Sequence, residues 1–190
     1  MELSKRFPGL VIASIAPDLT LRGQFELVQD GVLIDSYRVE IRASKFPASE
    51  PKVFELDGRV QAGQHKNPDN SCCTGVFEIW RAENPAADLI DFLEGPVRHY
   101  FLGHREFLAR QRWPFGERSH GASGVIEAAA EFLGVRADKG TVARYLRAIA
   151  RINYDGSQSC PCGSNRPIRL CHMSDLIALR RRIAPEHALS

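Results

Sequence analysis

Hydrophobic residues change their period partway along the chain. From Arg22 to Leu56 they alternate with polar ones. Phe25 and Leu27 alternate with Gln24 and Glu26, and Tyr37, Val39 and Ile41 alternate with Arg38, Glu40 and Arg42. A period of two sends one set of side chains to a buried face and the other to water, which predicts half-buried strands. Asp30-Gly31 is a turn signal between the first two. Phe46-Pro47 through Glu50-Pro51 forms a proline-bounded turn, and Lys52 to Leu56 is a third strand closed by Asp57-Gly58. Strands in series joined by short turns predict an antiparallel meander. Residues 1–20 stay ambiguous: Leu10-Val11-Ile12-Ala13 suits a short helix or a strand, and Pro8 and Pro17 limit both.

The period then becomes helical. Leu89, Leu93, Val97, Tyr100, Phe101 and Leu108 recur at helical spacing. Pro96 divides this run, either as a kink or as the first residue of a new helix. Val125, Ile126, Ala129, Phe132 and Leu133 form a second stripe ended by Gly134. Thr141 can cap a third helix with the stripe Val142, Tyr145, Leu146 and Ile149. Asn153 to Ser159 has linker composition, and a last helix is expected from a Ser174 cap to before Pro185. Strands followed by helices, without alternation, predict an α+β protein. The expected division is 1–152 for the main domain and 153–190 for a small appendage.

The chain is 44% hydrophobic over 190 residues, enough for one good core plus that appendage. No apolar run approaches the length of a membrane span, and no signal peptide is expected. The formal charge of +2 gives no case for nucleic-acid binding. Arg180-Arg181-Arg182 reads as the solvated face of the terminal helix. Five cysteines without a secretion signal point to a reducing, cytoplasmic setting. Their grouping, Cys72-Cys73 and then Cys160, Cys162 and Cys171, fits one reactive or structural pair and one metal site better than a disulfide framework.

Cys160-Pro161-Cys162-Gly163-Ser164 with Cys171-His172 offers three thiols and an imidazole, ligands that suit a closed, structural zinc site. This arrangement resembles the SEC-C zinc-binding motif, named for the C-terminal tail of the preprotein translocase ATPase. The resemblance implies that Cys160, Cys162, Cys171 and His172 hold zinc. It leaves two roles open: a docking tail, or a staple that orders the segment.

The stretch His65-Lys66-Asn67-Pro68-Asp69-Asn70-Ser71-Cys72-Cys73-Thr74 is polar and turn-rich and sits between the strands and the helices, a place where proteins put reactive groups. Extended neighbours point to opposite sides, so one thiol of the pair is expected inside and the other facing the loop. Cys73 could be a nucleophile, Asn67 a donor to an oxyanion, and His65 a base or a pin for the loop. His99, His104 and His120 keep a Cys-His hydrolase in view.

The order of meander, Phe46-Pro47-x-x-x-Pro51-x-Val53, His65-x-Asn67, Cys73 and helices resembles the ubiquitin-conjugating enzyme (UBC) fold in its bacterial form. Lys66 stands where that family's His-Pro-Asn tripeptide has proline, and Asn70 where glycine is common. The resemblance covers about residues 20–130. It implies a UBC-like α+β fold and a thioester on Cys73, with His65 pinning the loop and Asn67 as the oxyanion or loop-ordering amide. His120, in the stretch from Trp113 to Gly121, would either lie over the Cys73 loop or pack locally while Ser119 caps the next helix. The implied partners are a ubiquitin-like protein, an activating enzyme and a protein target. The rivals are a non-catalytic UBC-like adaptor and the Cys-His hydrolase.

Overall fold

In the computed structural model the described residues are 2–114, 119, 121–151 and 155–183. The chain forms two compact units: Met1–Phe77 with Ala87–Glu117, and Glu78–Ala86 with Arg118–Ser190. The architecture is α+β, with one four-stranded antiparallel sheet in the order of the sequence and helices following it.

The first unit begins with a short helix, α1 (Glu2–Arg6), and the strands β1 (Leu10–Ser14), β2 (Thr20–Gln29), β3 (Val32–Arg42) and β4 (Lys52–Glu55). The ambiguous Leu10 segment is therefore a strand: it pairs antiparallel with β2, Val11 opposite Arg22. Cross-strand register explains the two-residue period. Leu21, Ile41 and Val53 share one row and are fully buried. Arg22, Glu40 and Phe54 share the next row on the other face. There Glu40 is buried between Arg22 and Arg42, which both pair with its carboxylate.

The helix α3 (Leu89–Phe92) runs through a π-turn at Leu93–Val97 into α4 (Arg98–Arg110). Pro96 lies inside this turn, so the run is neither broken nor restarted there. A proline ring clashes with the carbonyl one α-turn back, and the wider π-turn accommodates it. α4 covers the apolar face of the sheet. Phe101 stacks on Tyr37 at 4.3 Å and meets Phe25 at 5.5 Å.

The second unit packs α5 (Ala122–Leu133), α6 (Lys139–Ala150) and α7 (Met173–Arg182) around Leu133, Tyr145, Ile149, Leu176 and Leu179. Ala82, from α2 (Phe77–Glu83), joins this core. Three helix starts differ from expectation. α6 is capped by Asp138, whose Oδ1 accepts from Thr141 N at 2.8 Å; Thr141 sits inside the first turn. α7 starts at Met173, before Ser174, directly after His172. Gly121, at φ 66°, precedes α5, and Ser119 instead donates its hydroxyl to Glu127 at 2.7 Å. No helix of the described residues is long and apolar enough to cross a membrane.

Candidate functional site

The segment from His65 to Cys73 is a tight hairpin laid against β4. Lys66 and Cys72 form an antiparallel bridge, Cys73 N donates to His65 O at 2.8 Å, and Cys72 N donates to Val53 O at 2.7 Å. The tip follows from its residues. Asn67 O accepts from Asn70 N at 2.9 Å and Asn67 N donates to Ser71 O at 2.8 Å, with Asn70 at φ 66°. A turn followed by a left-handed residue closes such hairpins, and asparagine tolerates that conformation at low cost. Pro68 occupies the turn position that suits its fixed φ.

Side chains tighten the turn. Asp69 Oδ1 accepts from Ser71 N at 3.0 Å and from its hydroxyl at 2.6 Å. These bonds hold the Asp69 carboxyl below its ordinary range. Asn67 Nδ2 donates to Ser71 Oγ at 3.0 Å and reaches Cys72 O at 3.4 Å. Its amide thus orders the loop from within.

The two thiols part company. Cys72 is 2% exposed, whereas Cys73 is half-buried. Burial pushes the Cys72 thiol up to about 11, which keeps it protonated and inert at neutral pH. The backbone bonds on both sides explain the division: Cys72 lies over Val53 of the sheet, and the next residue of an extended chain must face away. Among the described residues no side chain hydrogen-bonds the Cys73 thiol.

Two residues that the sequence did not single out for this role hold the loop at Gln64. Tyr100 donates its hydroxyl to Gln64 O at 3.0 Å. His104 is fully buried, with Nε2 3.1 Å from Gln64 Oε1 and Nδ1 3.0 Å from the Tyr37 hydroxyl. Gln64 Oε1 also accepts from Gln61 N at 2.9 Å, so it faces His104 as an acceptor. Nε2 therefore carries the proton, and Nδ1 accepts from Tyr37. Burial lowers the His104 pKa and keeps the ring neutral. With both nitrogens engaged, His104 does not serve a cysteine as a base. Its place in the stripe with Val97, Tyr100 and Phe101 was the available signal, since a histidine there has to be buried.

His65, at φ 49°, sets its ring edge against Trp113 at a centroid distance of 4.5 Å. Trp113 is buried and stacks on Phe107. Of the stretch that contains it, His120 lies outside the described residues.

The second cluster converges. The ligand atoms of Cys160, Cys162, Cys171 and His172 all lie within 4.8 Å of one another and could hold a metal ion. Cys162 Sγ is 3.7 Å from Cys171 Sγ, and His172 Nδ1 lies 3.2 Å from Cys160 Sγ and 3.1 Å from Cys171 Sγ. Local backbone brings them together. Ser159 bridges to Pro167, and Gly163 N donates to Cys160 O across a turn in which Gly163 has φ 84°. A 3-10 turn at Ile168–Leu170 then delivers Cys171 and His172. The Ser164 hydroxyl, 3.2 Å away, draws Cys162 below the ordinary thiol range, while burial pushes Cys160 up. No protein-family model, no curated protein and no solved structure matches the chain.

Proposed function

We propose that this chain is a UBC-like conjugating enzyme for a ubiquitin-like protein, with Cys73 as the residue that carries the modifier. The observation that carries this reading is the division of one thiol pair into a sealed Cys72 and an accessible Cys73 on a braced hairpin. In the proposed reaction the Cys73 thiolate attacks the thioester carbonyl presented by an activating enzyme, and that enzyme's sulfur leaves. A target amine then attacks the new thioester, and the Cys73 thiolate leaves as the amide forms. A thioester is already activated, so positioning and exclusion of side reactions carry most of the rate. The hydrogen bonds that Asn67 and Tyr100 donate and that Asp69 accepts supply a fixed loop for that purpose.

The Cys3His cluster is proposed to hold a structural zinc ion. A tetrahedral site with Zn–S bonds of about 2.3 Å has sulfur–sulfur edges of roughly 3.8 Å. The 3.7 Å between Cys162 and Cys171 fits that figure. Four protein ligands leave no open position, which suits a staple rather than a catalytic metal.

The test is co-expression with a candidate activating enzyme and ubiquitin-like protein, read on a non-reducing gel. Wild type should give a thiol-labile adduct, Cys73→Ser a thiol-stable ester, and Cys72→Ser an adduct like the wild type. Charging that survives Cys73→Ser unchanged but disappears in Cys72→Ser would reverse the assignment. One observation favours a second reading, a non-catalytic adaptor: the Asn67 amide is engaged inside the loop and no described side chain bonds to the Cys73 thiol. An adaptor would retain its partner after Cys73→Ala and never form the adduct.

A further inference from the structure

A cavity of about 440 Å³ lies in the second unit, lined by the turn that follows α5 (Gly134, Val135, Arg136), by α6 and by Cys162 and His172 of the Cys3His cluster. Nothing in the thioester chemistry uses it. Three features of its lining point to a ligand.

The first is Tyr145. It is 4% exposed, yet among the described residues its hydroxyl has no hydrogen-bond partner; the His172 ring lies edge-on at 6.3 Å, and the thiols of Cys160, Cys162 and Cys171 are within electrostatic reach. A buried phenol ordinarily finds a partner, because burial without one forfeits its hydrogen bond to water. The second is Arg144. Its guanidinium is oriented by Nε donating to Pro161 O at 2.9 Å and Nη2 donating to Thr141 Oγ1 at 2.8 Å. Both acceptors are neutral, and no carboxylate of the described residues pairs with it. The third is the charge of the wall. Arg136 and Arg144 face a single acid, Asp138, whose Oδ1 caps α6 and whose Oδ2 lies 3.5 Å from Arg136. Arg136, Arg144 and Asp138 sum to one positive charge, and the adjoining Cys3His cluster with zinc would carry one negative charge, so the attraction for an anion is local to the Arg144 guanidinium.

We propose that this cavity binds a carboxylate at the end of a peptide segment, with Arg144 as its charge partner and the Tyr145 hydroxyl as a second donor. A planar guanidinium fork suits a carboxylate. The volume exceeds what one carboxylate fills, and Val135 and the Tyr145 ring offer apolar contact to the adjoining residue. A C-terminal carboxylate and an acidic side chain share this chemistry.

The experiment is a titration of the full chain as purified, followed by amide and Tyr145 ring NMR shifts. The probes are N-acetyl-Ala-Gly, its C-terminal amide, N-acetyl-Glu-amide and inorganic phosphate. N-acetyl-Ala-Gly should shift the signals of residues 134–145, and its amide should not. A response to N-acetyl-Glu-amide as strong as to N-acetyl-Ala-Gly would assign the site to acidic side chains; a weaker one assigns it to chain ends. Tyr145→Phe should weaken binding about tenfold, the effect of losing one hydrogen bond to a charged group. Arg144→Gln should weaken it further, with metal content unchanged in both. Because Tyr145→Phe removes only an oxygen, it remains informative if Arg144→Gln fails to fold. Equal binding of the acid and its amide, a response to phosphate alone, or full affinity in Tyr145→Phe would each overturn the proposal.

Discussion

Two groups of cysteines in one chain behave in opposite ways. At Cys72-Cys73 adjacent thiols diverge, one into the core and one away from it. At Cys160, Cys162, Cys171 and His172 residues from two short segments converge on one point. Spacing alone does not produce the difference. The first pair rides on an extended edge bridged to Lys66, where alternation is enforced. The second lies on turns with positive φ at Gly163 and Asn165, where alternation breaks down and side chains can gather. A thiol's chemistry is decided by which backbone carries it.

The largest effect that would test this contrast is loss of the metal. One zinc per chain is expected by elemental analysis. Cys171→Ser or a strong chelator should unfold residues 155–172, because binding energies of about 10–16 kcal/mol drive the folding of such sites. Amide exchange should report this, and metal-free protein with a protected knuckle would contradict it. Next comes thiol selectivity. At neutral pH an alkylating reagent should modify Cys73 at least ~100 times faster than Cys72, whose thiol burial holds near 11. Mass mapping of the labelled peptide decides it, and comparable rates would erase the division of the pair.

Smaller effects concern the hold on the loop at Gln64. His104→Phe fills the space but removes the ring nitrogens that bond the Tyr37 hydroxyl and Gln64 Oε1. It should lower the stability of the first unit by about 1–3 kcal/mol and raise exchange at Cys73 N–H. The same residue sets a pH dependence. Its folded pKa is depressed below the ordinary 6.5 by burial, so the unfolded chain binds the extra proton first. His104 therefore contributes stability above pH 6.5 that is lost as the pH falls from there towards the folded pKa. Denaturant midpoints at a series of pH values should decline over that range, and His104→Phe should flatten the decline. Asn67→Ala, which removes two contacts at a half-exposed turn, should cost the least, about 1 kcal/mol, seen as a small drop in melting temperature.

Much of this was legible beforehand. The alternation around Tyr37, Val39 and Ile41 marked a buried row because a strand has only two faces. Cys-x-Cys followed by Cys-His indicated four ligand atoms gathered where they could hold a metal ion, because few other uses bring four such residues so close in sequence. Helix caps were less legible. Thr141 and Ser174 are both acceptable cap types, and only the tertiary course put Asp138 and His172 at those positions instead.

By itself, the sequence determined the α+β order of elements, the period of each face and the identity of the four clustered ligands, since these depend on local spacing and side-chain chemistry. Only the tertiary structure decided that Cys72 is the sealed thiol, that Gln64 is held by Tyr100 and His104, and that Tyr145 lines a cavity without a partner for its hydroxyl. Those outcomes depend on groups tens of residues apart meeting in three dimensions, and a buried hydrogen bond selects its partner by position as well as by type.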